Sequence, residues 1–240
     1  MKRILITASI ILFAVAAQAK TLIVYYSYTN NVERIVDELR TQIEADVIEV
    51  EPAEKGLDYA ANNYAIGSAQ IAAIREKPSD SASYPAIDPV NVDMSQYSTV
   101  IVGAPLWWSN MAAPLQSFLF QYGSEMAGKN IGLIVSSASS GISGVESDAK
   151  RLIPDGKFLS PSLWIRSSQT SNAKSLLRNW LETIDYNNLT SGIYLIDPDR
   201  TNAFTVYSLS GVRLLTNAES TATLPSGLYI INGKTTVIFK

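Results

Sequence analysis

Hydroxyl and amide side chains cluster near the start of this sequence, where the residue pattern changes abruptly. An apolar run, Leu22–Tyr26, ends in a polar segment that contains Ser27, Thr29, Asn30 and Asn31. An amphipathic helical pattern follows, with its apolar positions at Val32, Ile35, Val36, Leu39 and Ile43. A strand, a polar turn and a helix N-terminus in this order present backbone N–H groups and the positive end of the helix dipole to an anion. We therefore expect an anion-binding turn. The alternative is an ordinary strand-to-helix turn capped by Asn30 or Asn31.

Two adjacent tryptophans follow a second apolar run. Ser98–Gly103 is predicted to be a strand covered on both faces, and Ala104–Asn110 follows it with Trp107 and Trp108. Two neighbouring tryptophans at a strand end cannot both point into the same core. At least one should offer a flat apolar face on which a planar ring can stack. The alternative is that both tryptophans cap the sheet.

A third polar loop, Ser137–Gly144, follows a predicted strand at Asn130–Ser136 and consists almost entirely of serine, glycine and alanine. Small residues let backbone amides approach a ligand closely. Because the C-terminal ends of parallel strands meet at one edge of a sheet, we expect the three polar loops to lie together.

Composition excludes several kinds of chemistry. The chain has 240 residues, 47% of them hydrophobic, and a formal net charge of -3, which does not favour nucleic acid as a partner. It contains no cysteine and no histidine. Thiolate nucleophiles, cysteine-ligated metals and Ser-His-Asp triads are therefore excluded. Redox chemistry would need a bound cofactor that requires neither residue type as a ligand, and a flavin qualifies.

The N-terminus has the pattern of a secretory signal. Lys2 and Arg3 precede an apolar stretch that is short for a membrane span, and Ala17-Gln18-Ala19 then matches a signal-peptidase site. We expect residues 1–19 to be removed, leaving an exported chain with no transmembrane segment. The alternative is that this stretch forms a first strand or helix of the domain.

Strand and helix patterns alternate through residues 20–185. The predicted strands are Thr21–Tyr26, Asp46–Val50, Ser98–Gly103, Asn130–Ser136 and Ser162–Ile165. The predicted helices are Asn31–Glu44, Asp58–Glu76, Ala113–Tyr122, Val145–Leu152 and Ala173–Ile184. This alternation predicts an α/β fold with a five-stranded parallel sheet and helices on both faces.

Residues 186–240 have a different pattern. Short β-type segments are separated by Asp-Pro, Ser-Gly, Pro-Ser-Gly and Asn-Gly, the last being a strong hairpin signal. The segments are Gly192–Ile196, Ala203–Leu209, Val212–Leu215, Gly227–Ile231 and Thr235–Phe239. We expect a small all-β C-terminal domain.

The three loops together resemble the flavodoxin family, in the bacterial branch with YYSxTGNT, PxWWG and Ser/Gly-rich loops. The resemblance covers about Thr21 to Ile184 and implies a strand order of 2-1-3-4-5 with FMN at the switch between strands 1 and 3. It implies that the phosphate is surrounded by Ser27, Tyr28, Thr29, Asn30, Asn31 and Val32. It implies that the isoalloxazine ring is flanked by Pro105, Leu106, Trp107, Trp108, Ser109 and Asn110, with Ser139, Ser140, Gly141, Ile142 and Ser143 on its other side.

Two residues depart from the family pattern. Asn30 replaces a glycine, a tolerable change because asparagine adopts left-handed conformations more readily than most residues. Val32 replaces the final hydroxyl residue of the loop. The lost hydrogen bond to a charged group corresponds to about 1.5–3 kcal/mol, or about ten- to a hundredfold in FMN affinity.

The C-terminal segment from about Phe204 to Lys240 resembles the sorting domain of Bacteroidetes type IX secretion, through VYSLSG, GLYII and a lysine-containing end. A plain β accessory domain is the alternative.

Together these features predict an exported FMN-binding protein that transfers electrons to a redox partner protein or a small quinone-like acceptor. One alternative is an FMN-dependent NAD(P)H quinone or nitro reductase. The other is a binding module that keeps the fold and has lost the flavin.

Overall fold

The computed structural model describes residues 20–190, 204–218, 220–231 and 234–238. The predicted signal peptide at residues 1–19 and the predicted strand Gly192–Ile196 lie outside the described residues.

A parallel sheet forms the centre of the N-terminal unit. Its strands are β1 (Lys20–Tyr25), β2 (Asp46–Glu49), β3 (Tyr97–Trp107), β4 (Asn110–Met111), β5 (Asn130–Ser137), β6 (Lys157–Phe158) and β7 (Leu163–Arg166). The order is β2-β1-β3-β5-β6, with β7 also parallel to β5 and the short β4 antiparallel to β3. The parallel α/β class predicted from the sequence is confirmed.

The count of five strands and the simple order 2-1-3-4-5 need correction, because the sheet has seven strands. The predicted strand Ser162–Ile165 corresponds to β7, and an additional short strand, β6, precedes it; both pair with β5. Pro161 lies between them and has no N–H with which to continue the ladder. The remaining extra strand, β4, forms because the chain reverses at Trp108 and Ser109 and pairs back on β3.

Helices cover both faces of the sheet. They are α1 (Asn31–Arg40), α2 (Ala61–Glu76), α3 (Ala113–Tyr122), α4 (Ser143–Leu152), α5 (Ala173–Thr183) and α6 (Tyr186–Thr190). No helix in the described ranges is long and apolar enough to span a membrane. Helix α2 starts later than predicted, and Asn62, Asn63 and Tyr64 within its first turn have left-handed rather than helical dihedrals.

Two hydrophobic layers hold the helices to the sheet. Alternate β1 residues face opposite sides, so that Leu22 belongs to one layer and Ile23 to the other. The first layer includes Phe118 of α3, and the second includes Leu39 of α1 and Trp180 of α5. Both sheet faces are therefore buried, and polar groups are left to the strand ends.

The C-terminal segment forms a separate antiparallel sheet. Its strands are β8 (Phe204–Ser208), β9 (Arg213–Ala218), β10 (Gly227–Ile231) and β11 (Lys234–Ile238), in the order β11-β10-β8-β9. Pairing of Ile231 with Lys234 confirms the predicted hairpin. Val206, Tyr229 and Ile238 contribute to a small core of its own.

The N-terminal unit extends past the predicted boundary at Asp185. Tyr186 of α6 is only 5% exposed and belongs to the same hydrophobic layer as Leu39. Its hydroxyl lies 2.8 Å from the buried Thr21 Oγ1 and shares a hydrogen bond with it. Helix α6 therefore helps to hold β1 in place.

This packing predicts different outcomes for two truncations. A chain of residues 20–190 should fold and unfold cooperatively, because it keeps both hydrophobic layers. A chain of residues 20–185 should be less stable by about 3–5 kcal/mol, as for removal of a buried aromatic side chain. Urea denaturation followed by circular dichroism measures the difference. Failure of the longer chain to fold would mean that the C-terminal sheet is needed for folding.

Candidate functional site

A cavity of about 410 Å³ opens at the C-terminal ends of β1, β3 and β5. The predicted site residues that line it are Ser27, Tyr28, Thr29, Asn31, Val32, Pro105, Leu106, Trp107 and Trp108. Ser137 and Ala138, at the start of the predicted third loop, also line it, and the lining residues that sequence analysis missed are Tyr59, Tyr64, Gly67, Ser136 and Ser167. The first two predicted loops thus meet as expected, while much of the remaining wall comes from elsewhere in the chain.

The first loop surrounds the N-terminus of α1. Asn30 lies just before the helix in the left-handed region, with φ 58° and ψ 9°, as its replacement of a glycine led us to expect. The N–H of Glu33 donates to Ser27 Oγ at 3.3 Å, and Asn31 Nδ2 donates to Thr29 Oγ1 at 3.1 Å. Thr29 accepts this bond and so keeps its own hydroxyl hydrogen for donation to a ligand. The helix N-terminus and both hydroxyls lie at the cavity, an arrangement suited to an anion.

Tyr28 connects the first loop to the segment that precedes α2. Its hydroxyl donates to Asp58 Oδ1 at 3.0 Å and accepts from the N–H of Ala60 at 3.0 Å. The neighbouring Tyr59 is buried, and its ring packs against those of Tyr28 and Trp107, with centroid distances of 5.4 Å and 4.8 Å. Its burial is a consequence of tertiary packing that no local motif around Tyr59 signals.

The two tryptophans occupy different environments. Trp107 is partly buried, with its ring edge-on to Tyr26 at a centroid distance of 5.7 Å. Trp108 is 41% exposed and offers much of its indole surface at the rim. Gly67 of α2 allows this packing, because a Cβ there would lie 3.1 Å from the Trp108 ring and 3.3 Å from that of Trp107.

A tight turn carries Trp108. Trp107 pairs with Asn110, and the two central residues, Trp108 and Ser109, have φ values of 46° and 63°. Positive φ at both central positions is the geometry of a type I′ hairpin turn, which usually requires glycine or asparagine. The buried carboxylate of Asp148 supports the turn by accepting from Asn110 Nδ2 and from the N–H of Met111, both at 2.9 Å.

The predicted third wall is arranged differently. Residues Ser136, Ser137 and Ala138 face the cavity, because β5 continues to Ser137. The predicted residues that do not line the cavity are Asn30, Ser109, Asn110, Ser139, Ser140, Gly141, Ile142 and Ser143. Ser137 Oγ accepts from Trp164 Nε1 at 2.8 Å and donates to the carbonyl of Ser140 at 3.0 Å. The start of the loop is thereby tied to β7.

Backbone strain is concentrated around the cavity. Seven non-glycine residues in the described ranges have positive φ, and six lie in segments that border the cavity: Asn30, Asn62, Asn63, Tyr64, Trp108 and Ser109. Such conformations persist only where surrounding contacts impose them, and they cluster at functional sites. Their distribution makes this edge the candidate functional site.

The titratable side chains that line the cavity are the tyrosines Tyr28, Tyr59 and Tyr64. Burial raises the pKa values of Tyr26 and Tyr59, so both keep their hydroxyl hydrogen at neutral pH. No charged residue is among those that line the cavity. The described residues also contain no group of three or more histidine, cysteine, aspartate or glutamate residues that could hold a metal.

Comparison with known proteins agrees with this architecture. The family profile described as flavodoxin matches residues 20–184. The chain therefore belongs to the flavodoxin family. None of the curated proteins compared with the chain matches it.

Solved structures show the same fold. A candidate flavoprotein from Bacteroides eggerthii DSM 20697 is 22% identical, with a TM-score of 0.56 over 70% of this chain and 98% of the other. A flavoprotein in complex with FMN from Lactobacillus acidophilus NCFM is 21% identical, with a TM-score of 0.50 over 65% of this chain and 99% of the other.

The turn Trp107–Asn110, called the tryptophan turn below, packs closely against α4. This packing predicts that Gly144 cannot be replaced. A Cβ on Gly144 would lie 1.7 Å from the carbonyl oxygen of Ser109, which no side-chain adjustment can relieve. We expect Gly144→Ala to destabilise the chain by about 1–3 kcal/mol and to change the near-UV circular dichroism of the tryptophans.

Gly141→Ala is the matched control, since a Cβ there meets nothing within 4 Å. It should leave both the urea midpoint and the near-UV spectrum close to those of the parent chain. Equal behaviour of the two variants would contradict the assigned packing.

Proposed function

We propose that this chain is an exported flavodoxin that binds FMN in the cavity at the ends of β1, β3 and β5 and transfers electrons to a redox partner. The observation that carries the proposal is the combination, in one cavity, of a helix N-terminus with hydroxyl donors and a partly exposed tryptophan face. The cavity volume of about 410 Å³ lies within the range usual for cofactor sites.

The residues of the first loop suit a phosphate. Ser27 and Thr29 would surround it together with the first N–H groups of α1, which have no intrahelical acceptor. Asn30 adopts the left-handed backbone that this loop requires. Val32 is only 2% exposed and contributes a methyl group to the core in place of a hydroxyl. We expect FMN to be retained with an affinity lowered by about ten- to a hundredfold.

The tryptophan turn and the end of β5 suit the flavin ring. Trp108 supplies an apolar surface, and Ser136–Ala138 line the same cavity. When bound, FMN supplies reversible electron acceptance, and the sequence contains no cysteine that could supply it instead. The protein's residues would bind the ring, orient it and keep water from one side of it.

The uncharged lining favours an electron carrier over a nicotinamide-dependent reductase. A pyridine nucleotide would bring phosphates of its own beside that of FMN, and no lysine or arginine lines this cavity to bind them. No histidine is present anywhere in the sequence to move protons. Exchange of single electrons with a protein or a small quinone-like acceptor requires neither a binding site for nucleotide phosphates nor a histidine for proton transfer.

Export rests on the N-terminal sequence pattern and on the C-terminal sheet. In residues 1–19, basic residues are followed by an apolar stretch and then by small residues, which is the order found in a cleaved signal peptide. The C-terminal sheet has its own core and resembles a type IX sorting domain in sequence. The proposed locations are the periplasm, the cell surface and the medium.

A second candidate is a binding module that keeps the fold without the flavin. The burial of Val32 in place of a hydroxyl is the observation in its favour. Purification of the mature chain separates the two functions. A yellow protein that releases FMN on denaturation supports the flavoprotein, and a colourless chain that does not bind added FMN supports the module.

Substitution of Thr29 tests the phosphate site. Thr29→Ala should weaken FMN binding by about 1.5–3 kcal/mol, because one hydrogen bond to a charged group is lost. Riboflavin lacks the phosphate and should bind the variant and the parent alike. Thr41→Ala, at the opposite end of α1, is the matched control. Fluorescence titration measures both ligands, and equal losses for FMN and riboflavin would place the phosphate elsewhere.

Turnover with nicotinamides tests the carrier proposal. The FMN-loaded protein should oxidise NADH or NADPH in the presence of a quinone no faster than free FMN at the same concentration. Absorbance at the nicotinamide band measures the rate. Rapid, saturable turnover would contradict the carrier proposal and indicate a reductase.

A further inference from the structure

Arg75, in the last turn of α2, holds the tryptophan turn from outside the cavity. Its Nε donates to Asn110 Oδ1 at 2.7 Å, and its Nη2 donates to the carbonyl oxygen of Trp108 at 2.5 Å. One guanidinium thus binds both a central residue of the turn and the residue that closes it. The planar fork of the guanidinium holds its N–H groups in a fixed geometry that suits two such bonds at once.

The turn needs an external constraint. Trp108 and Ser109 both have positive φ, which is disfavoured for residues other than glycine, asparagine and aspartate, and most of all for a bulky side chain. The backbone hydrogen bonds of the short pairing between β3 and β4 involve only two residue pairs. Contacts from other elements must therefore maintain this conformation.

Two side chains supply that constraint from opposite sides of Asn110. Asp148 accepts from Asn110 Nδ2 at 2.9 Å, while Arg75 donates to Asn110 Oδ1. Arg151 Nη2 lies 3.1 Å from Asp148 Oδ1 and neutralises that carboxylate. Among the described residues, Arg75 takes part in no ion pair. Its charge is therefore directed at the Trp108 carbonyl and the Asn110 amide, and such charge-assisted bonds are stronger than neutral ones.

Helix α2 also touches the tryptophans at a second point. Gly67, two turns before Arg75, packs against both indole rings. The helix consequently fixes the ring side of Trp108 through Gly67 and its backbone side through Arg75. A change at Arg75 would free the backbone while leaving the ring contact in place.

We propose that Arg75 is a positioning residue that holds Trp108 at the rim of the cavity and so determines the affinity for the flavin ring, but not for the phosphate. This proposal rests on the proposed function, because it assigns the ring to the tryptophan turn. Arg75 does not line the cavity and acts only through Trp108 and Asn110.

The experiment compares Arg75→Gln, Arg75→Lys and the control Arg178→Gln in the full mature chain. Arg178 is an exposed arginine of α5, so its variant has the same change of net charge far from the turn. FMN and riboflavin affinities are measured by titration. Acrylamide quenching of tryptophan fluorescence is measured without flavin, and thermal unfolding is recorded for each variant.

Arg75→Gln should lose about tenfold in affinity for FMN and for riboflavin alike, the equivalent of one charge-assisted hydrogen bond. Its tryptophan quenching should increase, while Arg178→Gln matches the parent chain. Arg75→Lys should recover part of the affinity, because an ammonium can reach one of the two acceptors. A purely structural role would instead lower the unfolding temperature without changing the quenching of the folded protein.

The outcomes separate this proposal from the proposed function. Unchanged quenching and equal flavin affinities in Arg75→Gln would overturn the role of Arg75 while leaving FMN binding intact. A loss confined to FMN would also overturn it, because the phosphate would then be the group affected. If the parent chain binds no flavin, the proposed function fails, and the flavin-affinity role of Arg75 fails with it. The quenching comparison then still reports whether Arg75 holds Trp108.

Discussion

Burial of both faces of the parallel sheet is the constraint on which the rest of this molecule depends. Leu22 and Ile23, one after the other in β1, each enter a hydrophobic layer on opposite sides. Helices therefore occupy both faces, and side chains that need water or a ligand are restricted to the strand ends. The helix N-termini lie at the C-terminal edge of the sheet, so the positive ends of their dipoles add to the same edge.

Strain at this edge is balanced by specific contacts. Both Asn30 and Trp108 have left-handed backbone conformations. Asparagine adopts this conformation readily, whereas tryptophan does not. The turn at Trp108 is maintained by the Asp148 carboxylate, by the Arg75 guanidinium and by the absence of a side chain at Gly144. A rigid, partly exposed indole face results, and preorganised surfaces lose less conformational entropy when a planar ligand binds.

Local patterns along the chain were sufficient for the scaffold and for half of the site. Apolar runs of β-branched residues predicted the strands. A strand that is buried on both faces has apolar residues at consecutive positions instead of alternating apolar and polar residues. The polar segment after Tyr26 predicted the loop at the N-terminus of α1, because its chemistry is carried by consecutive residues. The strand count was less accurate, since the short β6 forms before the predicted outer strand and the reversal at Trp108 creates β4.

The remaining wall of the site was decided only by tertiary structure. Tyr59, Tyr64 and Gly67 come from a segment with no distinctive motif, and they reach the cavity because Tyr28 binds that segment and the tryptophans pack on α2. The third loop could be placed at the correct edge but not in register, because the length of β5 depends on its pairing with β3 and β7. Sequence by itself determined the class of fold and the residues of contiguous loops. The contacts between distant segments, such as Arg75 with Trp108, depended on packing, because no local pattern records which side chains will meet.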